Sequence, residues 1–308
     1  MTAAAPPAPL APAPVAASWS LRLPRGRTLE LGGTPRVMGV LNLTPDSFSD
    51  GGLCSDPQRA LERARTLLAE GAEMLDLGAE STRPAGRTYG AGAEPVPAAE
   101  ELRRLLPVLE RLRAETDAVL SVDTRKGEVA RGALAAGADL INDVTALGDP
   151  ALAAAVAAAG CPVVLMHNRG DGGTARPQAR YGDVVAEVRD ELAAALGRAA
   201  AAGIGHTQTL LDPGIGFAKG GRDNLLLLRH LDDLRALGRP LLVGASRKSF
   251  IGDLTGAPPA ARLAGSLAAV AWAARQGAAV VRVHDVAATV QFLAVHAAID
   301  QASGPLSP

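Results

Sequence analysis

Eight short apolar runs, each closed by a polar residue, restrict the possible folds of this chain more than any other feature. They span 36–42, 73–77 (leading into Glu80, Ser81 and Thr82), 118–123, 139–142, 162–167, 209–212, 241–246 and 279–284. Ala/Leu-rich stretches of helical period separate them. Strand and helix alternating eight times predict a (β/α)8 TIM barrel, in which the strand C-termini and following loops build the site. A polar residue after a strand can simply cap the next helix. That explains any one of the eight junctions and explains the full set poorly.

Gly and Pro punctuate the helical stretches, which are expected at 57–70, 97–115, 125–136, 150–159, 184–202, 224–237, 259–276 and 286–301. Residues 20–31 alternate around Pro24-Arg25-Gly26, as a β-hairpin closing the barrel floor would. Residues 1–18 are Pro/Ala-rich, without a charged side chain, and are expected to be a disordered tail rather than a secretory signal. One domain, 19–308, is expected to follow, since no linker divides the chain.

Charge excludes several function classes. With 31 basic and 32 acidic residues there is no global field for nucleic acid or anionic membrane, and four Phe, two Tyr and two Trp make no base-stacking platform. Cys54 and Cys161 lack metal-ligand spacing, and no run is long enough to span a bilayer. A cytoplasmic protein acting on small molecules is the expectation.

The last strand places Arg282 and His284 two residues apart, on one face. A pair of cationic side chains there suits an anion such as phosphate. The alternative is that Arg282 pairs with a structural carboxylate and His284 orders a helix start. Ser246 and Lys248 are expected on one side of the seventh run and Arg247 on the other. Lys248 would face the barrel mouth as a nucleophile, a base or a fixed cation. Asp123, Asn142 and Asp212 end strands with acceptors that a planar ligand bearing adjacent N–H groups would satisfy. After Asp212, Gly214 and Gly216 allow close backbone approach, and Phe217 offers an aromatic face. The loop from Asn42 through Phe48 and Asp50 to Gly52 reads as a lid. A second long loop begins at Glu80, with Arg83 able to reach an anion from the opposite rim.

In order along the chain stand Met38-Gly39-Val40-Leu41-Asn42, Leu77-Gly78-Ala79-Glu80-Ser81-Thr82-Arg83-Pro84, Ser121-Val122-Asp123-Thr124, Ile141-Asn142-Asp143-Val144, Leu165-Met166-His167, Asp212-Pro213-Gly214-Ile215-Gly216-Phe217, Ser246-Arg247-Lys248-Ser249 and Arg282-Val283-His284-Asp285. Together these resemble the dihydropteroate synthases of the pterin-binding barrel family over residues 36–290. The resemblance implies a transferase of folate biosynthesis that condenses (7,8-dihydropterin-6-yl)methyl diphosphate with 4-aminobenzoate. It implies a pterin held by Asp123, Asn142, Met166, Asp212, Phe217 and Lys248, and a diphosphate held by Asn42, Thr82, Arg282 and His284. It further implies 4-aminobenzoate against Phe48, Thr82, Arg83, Pro84, Phe217 and Ser249, Mg2+ on Asn42 and Asp50, catalytic roles for Lys248, Arg282, His284 and Asp123, inhibition by sulfonamides, and a homodimer. Ala79 replaces a Gly often found in the family, and 85–93 lengthens the second loop. Left open beside this reading are a methyltetrahydrofolate-type methyltransferase, a silent pterin-binding paralogue and a sugar-phosphate barrel enzyme.

Overall fold

Apolar, β-branched runs too short to stand alone pair as parallel strands when helices cover their outer side. The computed structural model describes residues 18–44, 57–80, 95–169 and 180–302, and there the runs form a barrel. A short hairpin, β1 (Trp19–Arg22) and β2 (Thr28–Leu31), precedes it. The barrel strands are β3 (Arg36–Asn42), β4 (Met74–Gly78), β5 (Val119–Asp123), β6 (Leu140–Asp143), β7 (Val163–Met166), β8 (Thr209–Asp212), β9 (Leu242–Val243) and β10 (Val280–Val283). They hydrogen-bond in the order β8-β7-β6-β5-β4-β3-β10-β9, and a parallel bridge between Leu211 and Leu241 closes the circle.

Helices α1 (Pro57–Ala69), α2 (Ala98–Glu115), α3 (Gly127–Ala135), α4 (Pro150–Ala159), α5 (Val184–Ala201), α6 (Gly221–Arg229), α7 (Leu231–Arg235), α8 (Ser249–Thr255), α9 (Leu263–Arg275) and α10 (Val286–Gln301) form the outer ring. Local chemistry sets their ends. At α4 the Asp149 side chain accepts from Ala151 N at 2.8 Å, Pro150 begins the helix, and Gly160 ends it in the left-handed region at φ +61°.

The hydrophobic interior divides in two. One cluster lies between strands and helices; the other fills the barrel floor with Met38, Met74, Val119, Leu140, Val164, Leu210, Leu242 and Val280. The hairpin caps this second cluster with Leu21, Leu23, Leu29 and Leu31, as its alternation predicts. An ionic latch holds it there. The fully buried Asp139 carboxylate accepts from Arg25 at 2.6 Å, Arg113 at 2.8 Å and Leu120 N at 3.0 Å, with Arg27 at 3.4 Å.

Two expectations change. The helix expected over 224–237 is two helices, because His230 (φ −116°, ψ 37°) leaves helical geometry between α6 and α7. The run 241–246 contributes only Leu242–Val243 as strand, and a separate helix α8 follows at Ser249. Simple alternation therefore does not place Ser246, Arg247 and Lys248. Arg247 sits at φ +57°, turning the chain so that its side chain donates to Asp285 at 2.9 Å.

Candidate active site

Parallel strands in register point paired residues to the same side of the sheet. Asn42 pairs with Gly78, Gly78 with Asp123, and Asp123 with Asn142, so one row at the barrel mouth carries these side chains inward. Gly78 leaves the row open: a Cβ there would lie 3.8 Å from Asp123 Oδ2 and 3.9 Å from Asn42 Oδ1. One layer below, Asp76 pairs with Ser121.

That lower layer contains the residue the terminal-position reading passed over. Asp76 is fully buried; its Oδ1 accepts from Ser121 Oγ at 2.5 Å, and its Oδ2 accepts from Arg282 Nε at 2.6 Å and Asn142 Nδ2 at 3.1 Å. Arg282 also donates to Asp123 Oδ2 at 3.2 Å. The carboxylate pairing expected as the alternative is therefore present, and it holds the Arg282 guanidinium in the mouth. The available signal was an aspartate inside an apolar strand, Met74-Leu75-Asp76-Leu77-Gly78.

Burial pushes the Asp123 carboxyl up to about 7, with the Asp76 charge adding to the effect and Arg282 opposing it. Burial works against the charge of Arg282, but Asp76 and Asp123 raise it above its ordinary value. Asn142 Oδ1 is buried with no partner among the described residues.

Asp212 closes the mouth from β8. Burial raises its carboxyl, while Gly214 N donates to Oδ1 at 2.7 Å. The turn beyond it depends on glycine at Gly214, where φ is +66° and a Cβ would stand 2.0 Å from the His167 carbonyl oxygen. Lys219, also passed over in the sequence, is buried beneath this turn. Its Nζ lies 2.9 Å from His167 Nδ1 and donates to the carbonyls of Gly214 and Phe217 at 3.0 Å and of His167 at 3.3 Å. Burial lowers this ammonium to about 7.

Lys248 Nζ stands 4.1 Å from the centre of the Phe217 ring, a cation–π contact uniting two residues expected at the pterin. Burial, then Arg282, lowers Lys248 to about 8, with Asp212 and Asp123 opposing. Met166 is buried at the end of β7, in register with Asp212. Ser249 is half-buried as the first residue of α8.

The expected cationic pair needs a correction. Burial, with Arg282, Arg247 and Lys248 nearby, lowers His284 to about 3, so its imidazole is neutral at physiological pH in the unliganded site. Ser246 Oγ accepts from His284 N at 3.2 Å and lies 3.1 Å from Nδ1. Assigning the serine proton to Nδ1 leaves Nε2–H as a donor for a ligand oxygen.

Glu80 is structural. It accepts from Val96 N at 3.0 Å and from Lys126 Nζ at 2.8 Å, tying together the two ends of the second loop. Phe48, Asp50, Thr82, Arg83, Pro84 and the stretch 85–93 lie outside the described residues. Elsewhere, His230, Asp232 and Asp233 come together in the outer layer, away from the barrel mouth. Cys161 is a buried free thiol.

The chain that carries this wall resembles proteins of a known family. Residues 38–284 match the model of the pterin binding enzyme family. The dihydropteroate synthase of Synechocystis sp. is 45% identical over 276 residues, 89% of this chain and 93% of its own length. That of Escherichia coli is 44% identical over 271 residues, 88% and 93% of the two lengths. A Xanthomonas albilineans dihydropteroate synthase solved with 4-aminobenzoic acid superposes with a TM-score of 0.85 at 50% identity, covering 93% of this chain and all of that one. A structure of that organism's enzyme with 7,8-dihydropteroate has a TM-score of 0.81 at 48% identity, covering 92% of this chain and 100% of that one. The family match, the near-full-length similarity and the shared fold agree, and the chain belongs to the pterin binding enzyme family, among its dihydropteroate synthases.

Proposed function

We propose that the barrel mouth joins 4-aminobenzoate to (7,8-dihydropterin-6-yl)methyl diphosphate, releasing diphosphate and 7,8-dihydropteroate, with the division of labour that follows. The observation that carries it is the donor-poor inner wall: Asn142 Oδ1 has no partner among the described residues, and the Asp123 and Asp212 carboxylates belong to the same mouth. A 2-aminopterin edge supplies the missing N–H donors. Lys248 meets the ring's carbonyl and nitrogen acceptors, while Met166 and Phe217 supply apolar and aromatic contact.

Arg282, His284, Asn42 and Thr82 hold the diphosphate. Breaking the methylene C–O bond places negative charge on the departing diphosphate and positive charge on the methylene, delocalised into the pterin. The guanidinium fork and the neutral His284 N–H stabilise the first, and the Asp123 carboxylate the second. The arylamine is already neutral near pH 7, so it attacks without a base first removing a proton. The leftover proton on nitrogen leaves after the C–N bond forms. Phe48, Thr82, Arg83, Pro84, Phe217 and Ser249 are the proposed aminobenzoate contacts.

The Asn42 amide oxygen near Asp123 is a hard donor of the kind Mg2+ accepts, so Asn42 and Asp50 would hold the ion. Bound there, it would neutralise diphosphate charge. A homodimer is supported by Val295 and Ile299, exposed apolar residues on α10. A cytoplasmic location is supported by Cys161, a buried cysteine without a disulfide partner among the described residues. Among the described residues, no helix is long and apolar enough to cross a membrane.

The test is diphosphate release by purified protein with Mg2+ and the pterin diphosphate. Release should require 4-aminobenzoate, and a sulfonamide should compete, raising the KM for aminobenzoate without lowering kcat. A Yersinia pestis dihydropteroate synthase, 43% identical with a TM-score of 0.82 and covering 90% of this chain and 97% of that one, has been solved in a sulfonamide drug complex. Release independent of aminobenzoate, or a sulfonamide without effect at low aminobenzoate, would overturn the proposal.

The wall also sets a pH window. Asp123 accepts a pterin N–H most strongly, and balances positive charge on the methylene, only when ionised, and that form is lost as pH falls through about 7. Lys248 loses its charge as pH rises through about 8. Because kcat/KM follows the free enzyme, it should form a narrow bell with its maximum between these values, measured against pterin diphosphate from pH 5.5 to 9.5. A flat profile between pH 5.5 and 7 would refute the assignment of Asp123.

A further inference from the structure

We infer that Asp76 is a positioning residue that fixes ligand specificity, turning Asn142 into a hydrogen-bond acceptor and aiming the fork of Arg282. The inference rests on the pterin reading above and assigns a residue that substrate need not touch.

Asp76 lies one layer beneath the row carrying Asn42, Asp123 and Asn142, and none of it is exposed. The Asp76 oxygen that takes the Arg282 donor has no hydrogen of its own to give, so any amide facing it must present its NH2 group. Asn142 does so, with Nδ2 at 3.1 Å from Asp76 Oδ2. The reversed amide would set two oxygens against each other. Its carbonyl oxygen is thereby turned away from Asp76, and this is the buried atom that has no partner among the described residues.

A free asparagine can read either a donor or an acceptor on a ligand. Here the polarity is fixed, and a ligand without an N–H at that point leaves a buried oxygen unsatisfied. The same carboxylate oxygen accepts Arg282 Nε at 2.6 Å while Arg282 Nη2 reaches Asp123. Of the five N–H groups of a guanidinium, those that these carboxylates leave over are available to an anion. Ser121 fixes the other Asp76 oxygen at 2.5 Å, so the carboxylate itself cannot rotate freely.

Asp76→Leu keeps roughly the same volume and removes both acceptor oxygens, whereas Asp76→Asn would still turn a carbonyl oxygen to the Arg282 donor and, from the same place, to Asn142. The effect is read by calorimetric binding of a pterin lacking diphosphate, compared with analogues in which single ring N–H groups are replaced by C–H or N-methyl. Wild-type protein should reject one such analogue by about 10²-fold or more, the penalty a site built around a donor imposes. Asp76→Leu should reduce this discrimination to about 5-fold or less, and Asp76→Asn should restore part of it. In an Asn142→Ala background, Asp76→Leu should cause no further loss of discrimination. A general loss of structure would weaken every analogue alike. The KM for pterin diphosphate should rise about 10-fold or more in Asp76→Leu, while that for 4-aminobenzoate stays within about 2-fold.

If Asp76→Leu does not fold, Ser121→Ala keeps the carboxylate but releases one of its oxygens. It should lower the discrimination by about 3-fold, and no change would overturn the inference. An active wild-type enzyme whose Asp76→Leu variant discriminates as before overturns the role of Asp76 alone. A wild-type protein that neither binds pterin nor releases diphosphate overturns the reading beneath it as well.

Discussion

Replacing Arg282 with alanine is expected to lower kcat/KM for the pterin diphosphate by about 10²- to 10⁴-fold, the range for loss of a preorganised group at developing negative charge. Arg282 is the cation best prepared for this role. Two carboxylates keep it charged and oriented in the mouth, whereas His284 is held neutral and Lys248 is engaged with Phe217. Arg282→Lys keeps charge but loses the fork, so it should recover only part of the rate. Steady-state kinetics with both substrates checks this. A fall below about 10-fold in Arg282→Ala would remove Arg282 from the diphosphate site.

The same substitution has a stability signature with a defined sign. Without Arg282, Asp76 and Asp123 remain close together without their shared counter-charge. Asp123 is already raised to about 7 in the folded chain. A carboxyl raised on folding loses stability as pH climbs from its unfolded to its folded value, and taking away Arg282 moves the folded value higher, so that the loss continues to a higher pH. The melting-temperature deficit of Arg282→Ala relative to wild type should therefore be larger at pH 8 than at pH 6. An equal deficit at both would contradict the shared-counterion account.

Asp139→Ala should have the largest effect on stability and almost none on chemistry. Its carboxylate gathers Arg25, Arg27, Arg113 and Leu120 N at the barrel floor. Arg25 and Arg27 are partly open to solvent, so their pairs contribute little. Arg113 is only 14% exposed, and stranding it accounts for most of the expected loss of about 3 kcal/mol. In a domain of this size that lowers Tm by roughly 5 °C. The residues of the mouth belong to the opposite end of the strands, so kcat/KM at 20 °C (about room temperature) should stay within about 2-fold of wild type. Calorimetry and kinetics on one preparation separate the two effects. A Tm within about 2 °C of wild type would show that apolar packing alone seats the hairpin.

The sequence by itself determined the barrel, because apolar runs of strand length alternating with helical stretches allow few other arrangements. It also determined the hairpin, from the alternation of Leu21, Leu23, Leu29 and Leu31. Asp123, Asn142, Asp212 and Arg282 were legible because each is a polar residue at or near a strand's C-terminal end. Periodicity indicates which way such a side chain points, but it does not name the partner across the barrel. Only the tertiary structure decided that Arg282 reaches Asp76, 206 positions away in the chain. Asp76 was hidden inside an apolar strand and Lys219 inside a glycine-rich turn, and each acquires meaning from the groups packed around it. The charge states followed the same rule: His284 read as a cation in sequence, but burial among Arg282, Arg247 and Lys248 leaves it neutral. A pattern along one chain records periodicity, whereas pairing and desolvation depend on neighbours that only the closed barrel brings within reach.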